Sequence, residues 1–109
     1  LQIMPESVEC LLGKGKMLHE MSRFEDAFAV AEKIAALAPS NPLAHSNLGL
    51  MLRELGRLGD SEAALRRALE CDSGFHEAQV NLARVLVEMG RLDEADAELA
   101  TVIDRRQPA

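Results

Sequence analysis

Between Asn41 and Asp72 apolar residues recur every three or four positions, polar residues fill the intervals, and Gly56 interrupts the pattern midway. That spacing predicts two amphipathic helices joined by a tight turn. The unit recurs before and after, so six helices are expected. The first runs to about Met21. The second opens at Ser22-Arg23-Phe24-Glu25, which reads as a capping box, and ends near Ala38-Pro39. Asn41 and Pro42 open the third as N-cap and first-turn proline, and Gly56 ends it. The fourth is expected from about Gly59 or Asp60 to Cys71, the fifth from about Phe75 to Met89, and the sixth from about Leu92 to Arg105. Residues 1–7 precede the first repeat. Their Leu1, Ile3 and Met4 are available to extend or pack on the first helix, and Pro5 suits a first helical turn.

Sliding the chain against itself by 34 residues aligns Leu18, Leu52 and Leu86 in one column. Met17, Met51 and Val85 fall in another, as do Met21, Leu55 and Met89, then Phe24, Leu58 and Leu92, then Ile34, Ala68 and Val102. No insertion is needed, which is the mark of one supersecondary unit stacked in a row. Gly15, Gly49 and Ala83 form a small-residue column inside a helix, where glycine costs about 1 kcal/mol against alanine. Ala27, Ser61 and Ala95 form its counterpart on the second helix. Small residues kept at such positions imply that the two helices of each unit pack closely and antiparallel.

These columns resemble the tetratricopeptide repeat. The middle copy shows His45, Leu48-Gly49, Leu52, Ser61, Leu65 and Ser73. The third shows Gln79, Leu82-Ala83, Leu86, Ala95, Leu99 and Gln107, and the first Leu11, Lys14-Gly15, Leu18, Ala27, Ala31 and Pro39. The chain departs from the family pattern in lacking Trp and Tyr, in His45 and Gln79 where a large apolar residue is usual, and in Lys14 where leucine is. The resemblance implies an all-α, right-handed superhelical solenoid of antiparallel helix pairs: three repeats, at 8–41, 42–75 and 76–109. It also implies a protein–protein interaction module whose first helices line a concave groove for a partner peptide or helix.

Composition narrows the function without naming it. With 109 residues and 48% apolar content the chain can build one continuous core, and with only 3% aromatics that core must be filled by aliphatic side chains. A net charge of −6 with few rings argues against nucleic acid. No apolar run approaches the ~20 residues of a membrane span. Cys10 and Cys71 stand in different places of different repeats, so a disulfide between them is not expected, and a reducing, cytoplasmic setting is. No phosphate loop, nucleophile–base pair or metal-spaced His/Cys cluster is visible, so no catalytic residue, cofactor or metal is assigned. His45 reads as a packed helix histidine.

Two charge columns read as structural. Asp26, Asp60 and Glu94 sit in the first turn of each second helix, where they favour the helix dipole. Glu20, Glu54 and Glu88, each followed three residues on by Arg23, Arg57 and Arg91, suggest a surface ladder of ion pairs.

The resemblance places the groove on Glu9, Leu12, Gly13, Lys16 and His19, then Leu43, Ser46, Asn47, Leu50 and Arg53, then Glu77, Val80, Asn81, Arg84 and Val87. The chosen contacts are Leu12, Lys16, Asn47, Leu50, Arg53, Asn81 and Arg84. Asn47 and Asn81 are equivalent, and an amide both donates to and accepts from a peptide backbone. A similar asparagine ladder occurs in the superhelix of protein O-glycosyl transferases. Lys16, Arg53 and Arg84 over Leu12, Leu50 and Val80 suit a peptide with acidic groups and an apolar anchor. The two-carboxylate clamp of chaperone-binding relatives is not kept, since its columns hold Leu12, Lys16, Asn47, Glu77 and Asn81, and Glu77 would repel a carboxylate.

Leu99, Val102 and Ile103 on the last helix have no following helix to cover them, so an apolar self-association face is expected there. The alternatives to groove binding are a substrate-positioning segment of a larger enzyme such as a transferase, and a self-assembly unit using its ends. The chain is expected to be cut from a longer protein.

Overall fold

The structure is a computed structural model describing the backbone of residues 8–106 and the side chains of residues 10–102. The expectations for Leu1, Ile3, Met4, Pro5 and the 107–109 tail lie outside the described residues, as do the side chains of Glu9 and Ile103. Six helices follow in order: α1 (Val8–Glu20), α2 (Phe24–Leu37), α3 (Pro42–Glu54), α4 (Leu58–Cys71), α5 (His76–Glu88) and α6 (Leu92–Arg106). The second helices begin in one column, at Phe24, Leu58 and Leu92, so the sequence period is also the structural one.

The turn inside each repeat has one cause. Ser22, Gly56 and Gly90 adopt φ of 60°, 79° and 79°. The N–H of Arg23, Arg57 and Arg91 then reaches back to the carbonyl of Leu18, Leu52 and Leu86 at 2.9, 2.9 and 2.8 Å. This is the Schellman closure that satisfies the last carbonyls of a helix. The capping box expected at Ser22 is therefore corrected. Ser22 takes the left-handed position that glycine fills in the other repeats, and the N-cap of α2 is Arg23, without a side-chain cap bond. The cap at Asn41 is present, its Oδ1 accepting from the N–H groups of Leu43 and Ala44 at 2.9 and 3.4 Å, with Pro42 in the first turn.

Each helix packs on its sequence neighbours, and α3 also packs on α5. Extents of 55 × 31 × 20 Å and a radius of gyration of 14.9 Å exceed the roughly 13 Å of a compact 100-residue domain, as a stacked row requires. The small columns mark the closest contacts. A Cβ at Gly49 would lie 2.6 Å from Leu65 Cγ, and Ser61 Oγ donates to the Gly49 carbonyl at 2.6 Å. His45 is buried, and its Nε2 bonds the Pro39 carbonyl at 2.7 Å, tying α3 to the loop before it. The largest cluster joins α4, α5 and α6 through Leu65, Ala68, Leu82, Val85, Leu86 and Ala95. No disulfide joins Cys10 to Cys71.

The expected Glu–Arg ladder is rearranged. Arg23, Arg57 and Arg91 turn forward, to Asp26 at 2.6 Å, Asp60 at 2.9 Å and Glu94 at 2.5 Å. Each arginine follows the left-handed residue, so its side chain leaves the first helix and meets the first turn of the second. Two of the glutamates turn to the neighbouring repeat instead: Glu88 pairs with Arg53 at 2.5 Å, and Glu54 lies 3.6 Å from His19 Nε2.

Candidate partner-binding groove

The first helices line one side of the solenoid, and hollows open along it among the described residues. The most enclosed, about 270 Å³, lies between α1, α2 and α3. Leu12, Lys16, Asn47 and Leu50, all predicted contacts, converge there, together with Gly15, His19 and Leu43. Ala27, Ala31, Ile34 and Met51 supply an apolar floor. Lys16 is exposed and Asn47 half-buried, so both present polar atoms above that floor.

The cavity has a residue-level cause. Ala31, Leu65 and Leu99 share a column. Leu65 fills the space against Gly49, whereas Ala31 leaves the space against Gly15 open, where a Cβ would meet only Val30 Cγ1, at 3.5 Å. Correspondingly α3 packs on α5, while no comparable packing joins α1 to α3 among the described residues. Sequence reasoning missed the floor residues. The alanine in a column of leucines was the available signal.

The other predicted contacts lie elsewhere. Asn81 and Arg84 line a wide hollow of about 660 Å³ beside Phe75, His76 and Glu77. Asn81 is only 8% exposed, so the two asparagines do not form an evenly presented ladder. Arg53 lines a third hollow of about 440 Å³ with Arg84, Val80, Val87 and Leu99. It is not the free cationic head expected, because Glu88 Oε1 takes its Nε at 2.8 Å. Ser46, placed in the groove by its column, is fully buried, with its hydroxyl unpartnered.

At the α6 end Leu99 is 37% exposed, but Val102 is 5% exposed. Val102 is thereby corrected: its column is that of Ile34 and Ala68, which points inward in all three repeats. Val87, placed in the groove by its column, is 50% exposed, and Leu92, at 57%, adds an exposed apolar residue that the sequence reading did not assign to the surface.

Charge concentrates on the second helices. Burial raises the pKa of Glu62, but hydrogen bonds from Arg91 and Arg66 outweigh it and hold the carboxyl below its ordinary value. The Arg91 hydrogen bond lowers Glu94 in the same way, and both carboxylates hold Arg91 protonated more firmly than usual. Among the described residues no group of three or more His, Cys, Asp or Glu is placed to hold a metal, and no helix is long and apolar enough to cross a membrane.

Comparison with known proteins agrees with this architecture. Two family models, each described as tetratricopeptide repeat, match residues 12–74 and 52–109. No curated protein sequence matches. Among solved structures, the type III secretion translocator chaperone SycD of Yersinia enterocolitica, in an alternative dimer, superposes with a TM-score of 0.88 at 18% identity, over 99% of this chain and 83% of that one. MamA of Desulfovibrio magneticus RS-1 gives 0.86 at 22% identity over 96% of this chain, which spans 60% of the MamA chain. The second repeat domain of Spaghetti (RPAP3), bound to the HSP90 peptide SRMEEVD, gives 0.83 at 17% identity, over 90% and 91%. At these identities the likeness shows a shared solenoid fold. Each family model spans more than half of the sequence, and the chain belongs to the tetratricopeptide repeat family.

Proposed function

We propose that this chain is a non-catalytic protein–protein interaction module that seats one apolar side chain of a partner segment in the cavity between α1 and α3. The observation that carries this reading is the parting of α1 from α3 over an apolar floor, with Lys16 and Asn47 above it. Burying an aliphatic or aromatic side chain there is favourable by about 1.5–3 kcal/mol. The Asn47 amide suits a peptide backbone, and Lys16 favours an acidic residue beside the anchor. A rigid solenoid holds these groups in place before docking, so little entropy is lost on binding. Domains of RPAP3 and yeast Sti1 with this fold are seen with HSP90 and Hsp70 peptides. The same carboxylate clamp is not proposed here, because Glu77 and Leu12 stand where its cations would be needed.

The test is Ala31→Leu, which gives the first repeat the residue found at Leu65 and Leu99 and fills the cavity from its floor. Panning a displayed random-peptide library on the wild type is expected to enrich an aliphatic or aromatic residue next to Asp or Glu. Ala31→Leu is expected to abolish that enrichment while raising stability by about 1 kcal/mol. Enrichment that survives the filled cavity would place binding elsewhere.

A further inference from the structure

The cavity between α1, α2 and α3 measures about 270 Å³. An apolar cavity of about 150 Å³ already takes up a benzene molecule, so there is room here for an aromatic ring and the carbon that carries it. A four-carbon aliphatic side chain would leave much of the space unfilled, and an apolar site loses contacts over every void its occupant leaves. Gly15 on α1 and Ala31 on α2 add no bulk to the walls.

Three lining groups separate a ring from an aliphatic group of the same size. Met51 belongs to the floor and is buried, and a thioether attracts an aromatic ring beyond what burial alone supplies. His19 lines the cavity from α1, and its imidazole makes a tilted pair with Phe24, the centroids 5.5 Å apart and the planes at 56°. Its Nε2 lies buried, 3.6 Å from Glu54 Oε1, so this ring is held in place before a partner arrives. A further ring against it extends the edge-to-face arrangement that aromatic groups prefer. Lys16 also lines the cavity, and it has no ion-pair partner among the described residues. An ammonium is attracted to the negative face of a ring, so one lysine answers both to a ring in the cavity and to a carboxylate beside it.

The equivalent place between the second and third repeats has none of these groups. Leu50, Arg53 and Val85 stand in the columns of Lys16, His19 and Met51, Glu88 holds Arg53, and Leu65 fills the space that Ala31 leaves open.

We infer that the cavity selects an aromatic anchor, a ring that packs on Met51 and His19 beneath the Lys16 ammonium, from a partner segment with a carboxylate next to it. The inference rests on the cavity being the seat of the partner's anchor and adds the chemical class of that anchor. Burial rewards a phenyl and a cyclohexyl group alike, whereas the thioether, the imidazole and the ammonium reward only the ring with a π face.

The test uses three capped dipeptides, N-acetyl-X-Asp-amide, with phenylalanine, cyclohexylalanine or leucine at X. Binding is followed by NMR through the methyl groups of Ala27, Ala31, Ile34 and Met51. The phenylalanine compound is expected to bind about fivefold more tightly than the cyclohexylalanine one. Lys16→Gln and Met51→Leu are each expected to shrink that ratio. Lys16 is exposed, so its replacement leaves the core intact, and leucine keeps most of the bulk of Met51. A cyclohexylalanine compound that binds as tightly as the phenylalanine one overturns the aromatic assignment, and leaves the cavity as the seat of an apolar anchor. A ratio that neither substitution changes overturns it as well. If none of the three moves these methyl signals up to its solubility limit, the cavity reading fails together with the inference.

Discussion

Gly15 and Gly49 occupy one column and one backbone conformation, yet they answer to different neighbours. Beside Gly49, Leu65 leaves no room for a Cβ, the nearest atom lying at 2.6 Å. Beside Gly15, the nearest such atom is Val30 Cγ1 at 3.5 Å, an ordinary contact. Alanine in a helix gains about 1 kcal/mol over glycine, while overpacking a tight contact costs about 1–3 kcal/mol. Gly15→Ala is therefore expected to raise the urea midpoint and Gly49→Ala to lower it. Shifts of the same sign would mean that Leu65 moves aside freely. Ser22 shows the opposite economy. It holds a left-handed turn where Gly56 and Gly90 stand in the later repeats, because the Schellman closure depends on backbone geometry and a serine can be strained into it.

At the scale of elements, the three intra-repeat turns are alike and the joints between repeats differ. The joint from the second repeat to the third is tied on the convex side by Glu62, whose Oε1 takes Arg91 Nη1 at 2.6 Å and whose Oε2 takes Arg66 Nε at 2.9 Å. The first joint places Phe28 in that column, where Arg57 makes a cation–π contact in place of the ion pair. The carboxyl of Glu62 is held below its ordinary value of 4.5 in the folded chain. A group depressed in this way binds more protons unfolded than folded. Its stabilisation is complete above that ordinary value and is lost as pH falls through the folded one. Glu62→Gln is expected to cost up to about 1 kcal/mol at neutral pH and less at pH 3. Urea titrations at both values check this. An equal cost at both would mean that Glu62 acts by packing.

For the whole molecule, the described helices pack on their neighbours in the row, with α3 also on α5, so stability is close to a sum of repeats and joints. That sum is uneven. The cluster across α4, α5 and α6 is the largest, while α1 contributes Leu11 as its buried side chain among the described residues. Amide hydrogens of α4 and α5 are expected to exchange only through global unfolding, and those of α1 through a smaller opening. Native-state exchange followed by mass spectrometry reads this directly. Uniform protection from α1 to α6 would show that the joints outweigh the differences between repeats.

The sequence by itself determined the repeat, the six helices, the caps at Asn41 and the turns at Gly56 and Gly90, because these depend on local chemistry and on columns readable by alignment of the chain with itself. It also carried the gathering of Leu12, Lys16, Asn47 and Leu50 on one surface, since equivalent positions of stacked units must share a face. Tertiary structure alone decided what each column member meets. Arg53 is neutralised by Glu88 one repeat away, Val102 turns inward, Asn81 is buried where Asn47 is not, and Ala31 leaves a cavity where Leu65 leaves none. The physical reason is that helical period fixes direction, whereas burial and pairing depend on the side chain brought opposite by the next repeat.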